Sequence, residues 1–135
     1  MESFKLFFMT CAFLCACSPN DNNIQKNVIK TEDGLKCEKS RFYFGDVSSK
    51  DNNITKFTFK IKNTKNILID ITSVDVDCEC IHVESYPKRI KPNVAANIVG
   101  YVDLRKQHGH ISKPIFVNTA NKKTLLLRVV GNVTP

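Results

Sequence analysis

The sequence lacks several features that mark well-known classes of protein. It contains no tryptophan, and its two methionines, Met1 and Met9, both lie near the start of the chain. It has neither the G-x-S-x-G motif of α/β-hydrolases nor a glycine-rich phosphate-binding loop. Ser48, Ser49 and Ser73 lie in segments whose composition is typical of turns or strands. Nothing therefore indicates nucleophilic catalysis, and we expect a protein that is not an enzyme.

The sequence also lacks an apolar run of the length that crosses a bilayer. The run near its start covers residues 6–14, about nine residues, whereas a transmembrane helix needs about 20. A short basic start containing Lys5 precedes this run. Charge followed by a short apolar stretch is the pattern of a secretory signal peptide.

The end of this stretch identifies the kind of signal peptide. Residues 14–17 read Leu-Cys-Ala-Cys and resemble the bacterial lipobox, in which the last cysteine receives diacylglycerol through its thiol. We expect residues 1–16 to be removed as a lipoprotein signal peptide and Cys17 to become lipidated. The alternative is an ordinary cleaved signal peptide in which Cys11, Cys15 and Cys17 are incidental.

A polar segment follows the predicted lipidation site. Residues 17–36 are rich in asparagine and lysine and cannot bury a core, so we expect them to form a flexible tether. Ser18 directly follows the lipidated cysteine, which in other bacteria favours sorting to the outer membrane. The protein is thus predicted to be a lipid-anchored component of the cell envelope, and the sequence does not say which side of the membrane it faces.

The charge of the chain is moderately positive, with a formal net value of +7 at pH 7. Such an excess suits anionic lipid head groups or acidic glycans. The lysines are spread over almost every segment, however, and we interpret them as a solvated surface. No basic helix, RNA-binding aromatic motif or zinc-finger spacing accompanies the charge, so nucleic acid is not an expected partner.

From Arg41 onward, apolar and polar residues alternate with period two, and turn-forming residues interrupt the pattern at regular intervals. This predicts an all-β, immunoglobulin-like antiparallel sandwich of about seven strands, occupying residues 37–135. The predicted strands cover residues 42–47, 57–62, 67–76, 81–85, 98–104, 111–118 and 125–133.

One face of each predicted strand should be buried between the two sheets. Phe57, Phe59 and Ile61, for example, alternate with threonine and lysine. The core is predicted to be centred on Phe57, Phe59, Ile69, Ile71, Val117 and Leu127.

Several motifs of this domain occur in the order found in one bacterial family. They are Phe42-Tyr43-Phe44-Gly45-Asp46-Val47, Phe57 with Phe59 and Asn63, Cys78 with Cys80, Pro92, Gly109 with Ile115, Val117 and Asn118, and the closing Gly131-Asn132-Val133-Thr134-Pro135. With these motifs the chain resembles the bacterial domain of unknown function 1573, which is common in envelope proteins of the Bacteroidota. The resemblance implies an immunoglobulin-like fold and brings no established activity.

The chain departs from the family pattern at two positions. The family's Cys-Gly-Cys is Cys78-Glu79-Cys80 here, which weakens the expectation of a positive φ at the middle residue. The family's Pro-Gly is Pro92-Asn93, and asparagine tolerates the left-handed conformation that a type II turn requires. We therefore expect that turn to be retained.

Cysteine and histidine provide the candidate chemistry. Cys78, Cys80 and His82 occupy alternate positions, so an extended segment would direct all three to one face. They are candidate ligands for copper or zinc, with His108 or His110 as a further ligand. The spacing is unusual for zinc, and the methionine ligands of exported copper carriers are absent from the mature chain. The second option is a redox role for a Cys78–Cys80 disulfide, although it lacks the C-x-x-C spacing that lowers a thiol pKa.

The thiol count of the mature domain is odd, because Cys37, Cys78 and Cys80 remain after signal removal and lipidation. In an extended strand, residues two apart have Cα atoms near 6.5 to 7 Å apart, at or beyond the limit for a disulfide. We therefore predict that Cys78 and Cys80 are mostly not bonded to each other and are partly buried. A bridge from Cys37 to either of them stays open.

We interpret the protein as a non-enzymatic structural or binding module, anchored to the membrane by Cys17. Its expected partners are the membrane itself and an envelope protein or glycan. No cofactor is expected in this interpretation. The alternative function is metal binding or thiol redox chemistry at Cys78, Cys80 and His82.

Overall fold

A computed structural model describes residues 29–30, 34–50 and 54–135. These residues form β-strands and connecting turns, with no helix long and apolar enough to cross a membrane. The strands are β1 (Ile29–Lys30), β2 (Leu35–Cys37), β3 (Arg41–Ser48), β4 (Ile54–Asn63), β5 (Ile69–Val76), β6 (Ile81–Ser85), β7 (Arg89–Ile90), β8 (Ala95–Asp103), β9 (Gly109–Thr119) and β10 (Thr124–Thr134).

The strands form two five-stranded sheets. The first sheet has the order β1-β2-β4-β8-β6, and the second has the order β3-β10-β9-β5-β7. Strand pairing is antiparallel except between β3 and β10, which are parallel. The predicted all-β, immunoglobulin-like sandwich is therefore confirmed.

The core lies between the sheets and follows the predicted alternation. Phe57 and Phe59 are 1% exposed and Ile61 is fully buried, whereas the residues between them on β4 are exposed. The rings of Phe57 and Phe59 lie 5.5 Å apart between centroids, and the ring of Phe42 packs against both from β3. Ile69, Ile71, Val117 and Leu127 are also buried, so the six residues predicted to centre the core are confirmed.

The sandwich contains more strands than the seven predicted, because β1, β2 and β7 are too short to produce a clear alternation. Strand β2 includes Leu35, which is fully buried and precedes the predicted domain boundary at residue 37. Ile29–Lys30 pairs with this strand as well. Parts of the segment predicted to be a flexible tether therefore belong to the first sheet.

Asn63 is a fully buried polar residue at the end of β4. Its Nδ2 donates to the carbonyl oxygens of Ile67 at 2.7 Å and Ile90 at 3.0 Å, and its Oδ1 accepts from the backbone N–H of Lys65 at 2.9 Å. These bonds fix the turn after β4 and connect it to β7. Buried polar groups need such partners, which explains why an asparagine occupies this position.

Two backbone positions require special residues. Asn93 has a φ of 60°, as predicted for the turn after Pro92. A Cβ atom added to Gly131 would lie 2.2 Å from the ring of Phe44, so a glycine is needed where β10 passes this ring. Glu79 is not among the residues with positive φ, which agrees with its departure from the family's glycine.

Candidate functional site

The segment that carries Cys78 and Cys80 forms a turn between two strands. β5 ends at Val76 and β6 begins at Ile81. Within the turn the two cysteines form a disulfide, with their Cα atoms 5.1 Å apart. The prediction that they are not bonded to each other is therefore wrong. It assumed an extended strand, whereas the turn shortens the Cα separation into the ordinary disulfide range.

Backbone hydrogen bonds hold this disulfide turn against the first sheet. The N–H of Ile81 donates to the carbonyl of Cys78 at 3.0 Å, and the N–H of Asp103 donates to the carbonyl of Cys80 at 2.7 Å. Cys80 is 8% exposed and belongs to the core, whereas Cys78 is half-buried. Cys80 is thus the more buried of the two bonded residues, and Cys78 the more exposed.

The third member of the predicted cluster lies elsewhere. His82 is exposed on the outer face of β6, and its ring stacks on that of Tyr101 with 4.7 Å between centroids. His108 and His110 are exposed and lie before and within β9. Residues 34–50 and 54–135 contain no group of three or more histidine, cysteine or acidic side chains arranged to hold a metal ion. The metal hypothesis assumed that Cys78, Cys80 and His82 share one face of a strand. The structure does not show this arrangement.

The disulfide turn forms one wall of an open cleft of about 610 Å³ at the end of the sandwich. The turn after β8 forms the opposite wall. Sequence reasoning did not identify this cleft, because its walls come from turns that are distant in sequence. It is lined by Asp77, Cys78, Glu79, Cys80, Asp103, Arg105, Lys106 and Gln107.

A charged pair organises the wall formed by the turn after β8. The Arg105 guanidinium donates from Nε to both carboxylate oxygens of Asp103 at 3.0 Å, and the backbone N–H of Arg105 donates to Oδ1 at 3.0 Å. The hydrogen bonds from the Arg105 side chain lower the pKa of Asp103 to about 2. The cleft therefore carries Asp77 and Glu79 on the disulfide turn, and the Asp103–Arg105 pair together with Lys106 on the opposite wall.

A second surface groove, of about 560 Å³, lies on the outer face of the first sheet. It is lined mainly by lysines from β2, β4 and the segment after β2. Cross-strand pairing places Lys36 directly opposite Lys62, and Lys62 opposite Ala95. The lysines are spread over almost every segment of the sequence, but pairing of distant strands gathers several of them on this face. The lining residues are Lys36, Glu38, Lys39, Thr58, Lys60, Lys62, Thr64, Asn93 and Ala95.

Cys37 is a free, fully buried cysteine on β2. Its thiol donates to the carbonyl oxygen of Lys39 at 3.3 Å, and burial raises its pKa. A buried thiol with a raised pKa is a poor nucleophile. Cys37 thus packs as a small apolar residue and forms no bridge to Cys78 or Cys80. The predicted lipidation site, Cys17, lies outside the described residues.

The fold is an immunoglobulin-like sandwich of two five-stranded sheets. The sequence pattern of the family described as protein of unknown function (DUF1573) matches residues 35–133. The chain belongs to this family. A search of the curated proteins gives no significant match.

Three solved structures show the same fold at low sequence identity. A protein of unknown function from Porphyromonas gingivalis has a TM-score of 0.62 and 15% identity, over 73% of this chain and 46% of that one. The secreted serine protease VesC from Vibrio cholerae has a TM-score of 0.61 and 8% identity, over 77% and 24% of the chains. The ASH / PapD-like domain of human CEP192 has a TM-score of 0.61 and 7% identity, over 76% and 86%. The chain thus spans less than half of the first two structures, and identities this low establish the fold alone.

Proposed function

We propose that this protein is a lipid-anchored module of the bacterial cell envelope, held in the outer membrane of a member of the Bacteroidota. The lipobox-like residues 14–17 support anchoring through Cys17. A sandwich whose first strand, β1, begins at Ile29 is compatible with this arrangement, because the 11 residues between Cys17 and Ile29 can connect the domain to the lipid.

Within this proposal the domain is a non-enzymatic structural or binding module. The cleft beside the disulfide turn is the observation that carries this assignment. The Cys78–Cys80 bond constrains one wall, so this wall loses little conformational entropy when a partner binds there. An envelope protein or glycan with both charged and hydrogen-bonding groups fits this mixed surface.

Replacement of Cys17 by serine tests the anchor. The variant should no longer enter the detergent phase in a phase-separation experiment, whereas the parent should. Cys15→Ser is the matched control, because it alters a neighbouring cysteine and leaves the predicted lipid acceptor in place. If Cys17→Ser still partitions with the detergent as the parent does, lipid anchoring is contradicted.

Site-specific photo-crosslinking in growing cells tests the binding module. A photoreactive residue at Glu79, in the cleft, should give a discrete adduct, and the same residue at Lys122, in the turn between β9 and β10, should not. Adding Arg105→Glu reverses the charge of the opposite wall and should abolish the Glu79 adduct. Equal adducts from both positions, or none from Glu79, would contradict binding at the cleft.

Thiol redox chemistry is the second candidate, because the disulfide joins a half-buried cysteine, Cys78, to a buried one, Cys80. A thiolate of a partner dithiol would attack Sγ of Cys78 and break the S–S bond, and the Cys80 sulfur would leave with the electron pair and take up a proton. The second partner thiol would then displace Cys78. The partner dithiol is oxidised to a disulfide, and the cysteine pair gains two electrons.

Single-cysteine variants distinguish this candidate. Cys80→Ser leaves the more accessible Cys78 and should trap a mixed disulfide with an oxidised dithiol peptide. Cys78→Ser leaves the buried Cys80 and should trap much less, and equal trapping by both variants or by neither would remove the candidate.

Copper or zinc binding by Cys78, Cys80 and His82 requires a reduced pair, since the thiolate is the ligand. About one metal ion per chain after anaerobic purification would support that option.

A further inference from the structure

The outer face of the first sheet carries five lysines, which together are called the lysine face. Three come from alternate positions of β4, so their side chains leave the same side of the strand. The others come from β2 and the segment that follows it. The lysine face consists of Lys36, Lys39, Lys56, Lys60 and Lys62.

These lysines have no anionic partners of their own. Within the part of the chain that the structure describes, none of the five forms an ion pair. Glu38 is the single acidic residue that lines the groove. Lys36 and Lys62 lie directly opposite each other on neighbouring strands, an arrangement of like charges that destabilises a sheet. Among the described residues, the face therefore has an excess of positive charge, which an external anionic surface would neutralise.

We propose that the lysine face lies against the anionic head groups of the membrane to which the chain is anchored. The inference rests on the proposed lipid anchor and adds the orientation of the domain to it. Lysine is a compact charge on a flexible stem, suited to mobile phosphate groups that present no fixed geometry. Thr58 and Thr64 add hydroxyl groups to the same groove.

The position of the N-terminal strands favours the membrane over other anionic partners. β1 and β2 form the edge of the sheet that carries the lysine face, and Lys36 itself lies on β2. The predicted anchor, Cys17, precedes Ile29 by 12 residues (29 − 17). Such a segment reaches at most about 40 Å when extended, so the anchor keeps this edge of the domain close to the bilayer.

The lysine groove is distinct from the proposed binding cleft. Ala95 lines the lysine groove and Asp103 lines the cleft, and these residues are the two ends of β8. A strand of this length separates the two sites by roughly 25 Å. The lysine groove and the cleft are therefore separate sites on the first sheet.

Lysine acylation of the lipidated protein in vesicles tests the orientation. The full lipidated chain is reconstituted in phosphatidylcholine vesicles and in phosphatidylcholine–phosphatidylglycerol vesicles, and a water-soluble acylating reagent is added from outside. In the anionic vesicles, mass spectrometry should show acylation of the lysine face slowed about fivefold for each engaged lysine. Lys106 and Lys122 should react equally in both, and high salt should remove the difference.

A charge variant with a matched control completes the test. In the variant with Lys36, Lys60 and Lys62 replaced by glutamine, Lys39 and Lys56 should lose their protection. The control, with Lys91, Lys106 and Lys122 replaced, should keep it. Equal acylation of the parent in both vesicles overturns the orientation while anchoring stands, whereas failure to float with either vesicle contradicts the anchor. Protection by an added acidic polysaccharide but not by phosphatidylglycerol also overturns it, in favour of a glycan.

Discussion

The two sheets share one kind of inner face but differ in their outer faces. On the first sheet the outer face presents the lysine face. On the second, Phe116 lies opposite Leu126 and Tyr43 lies opposite Val130 on neighbouring strands, with arginines beside them. Since both inner faces bury aliphatic and aromatic residues, stability alone does not require different outer faces. The second sheet also pairs two basic residues, Arg41 and Arg128, and it is the gathering of five lysines on the first sheet on which we base the proposed contact with an anionic surface.

The inner and outer sides of β4 should respond very differently to truncation. Phe59→Ala removes a buried ring and should lower the free energy of unfolding by about 3 to 5 kcal/mol. Lys60→Ala, one residue further on the exposed side, should change it by less than about 0.5 kcal/mol. Urea denaturation of both variants measures the contrast. A loss below about 1 kcal/mol for Phe59→Ala would mean that the strand is in the opposite register.

Replacing Asn63 tests whether the hydrogen bonds of its buried side-chain amide stabilise the end of β4. Asn63→Ala leaves the carbonyls of Ile67 and Ile90 without their donor and should lower the free energy of unfolding by about 2 to 3 kcal/mol. Asn66→Ala, in the same turn but exposed, is the control and should have little effect. If thermal or urea unfolding gave similar losses of unfolding free energy for both variants, the stabilising role of the Asn63 hydrogen bonds would be contradicted.

The disulfide turn should contribute less than either of these positions. The bond closes a very short loop, so its removal should lower the free energy of unfolding by about 1 to 2 kcal/mol. The comparison is between the oxidised parent and the Cys78→Ala, Cys80→Ala double variant in urea. Cys37→Ala is a poor control because it creates a cavity, so the reduced parent serves instead. Identical midpoints for oxidised and reduced parent would show that the bond does not stabilise the fold.

The smallest effect on the free energy of unfolding is expected from the ionisation of Asp103. Its pKa of about 2 in the folded chain lies below the value of about 3.9 for an unfolded aspartate. The resulting stabilisation is complete above pH 4 or so and is lost as the pH falls through 2. Arg105 is 65% exposed, so solvent screening keeps the contribution small. Thermal unfolding should show a shallower acid dependence for Asp103→Asn, and an unchanged dependence would contradict the pairing.

The sequence predicted the sandwich and its core because each long strand carries its own alternation. It did not predict β2, since Leu35 and Cys37 are isolated apolar residues in a polar segment. The disulfide was missed for a related reason: Cys78, Cys80 and His82 continue the apparent period of β5 and β6, and no local signal shows that a turn interrupts it. The alternation within β4 was sufficient to predict that the lysines of this strand lie together on its exposed face.

Other parts of the candidate sites depend on pairings between distant segments. Lys36 joins the lysine face only because β2 pairs with β4. The cleft forms only because the N–H of Asp103 bonds to the carbonyl of Cys80 across two strands. Such contacts are set by tertiary packing, which periodicity along the chain does not reveal.

We propose that this sandwich is attached to a membrane through a lipid on Cys17. Mass spectrometry of the N-terminal peptide, from protein purified from its own membranes, tests this attachment. The mature chain should begin at Cys17, and this residue should carry a diacylglyceryl group. A chain that begins elsewhere, or an unmodified Cys17, would contradict it.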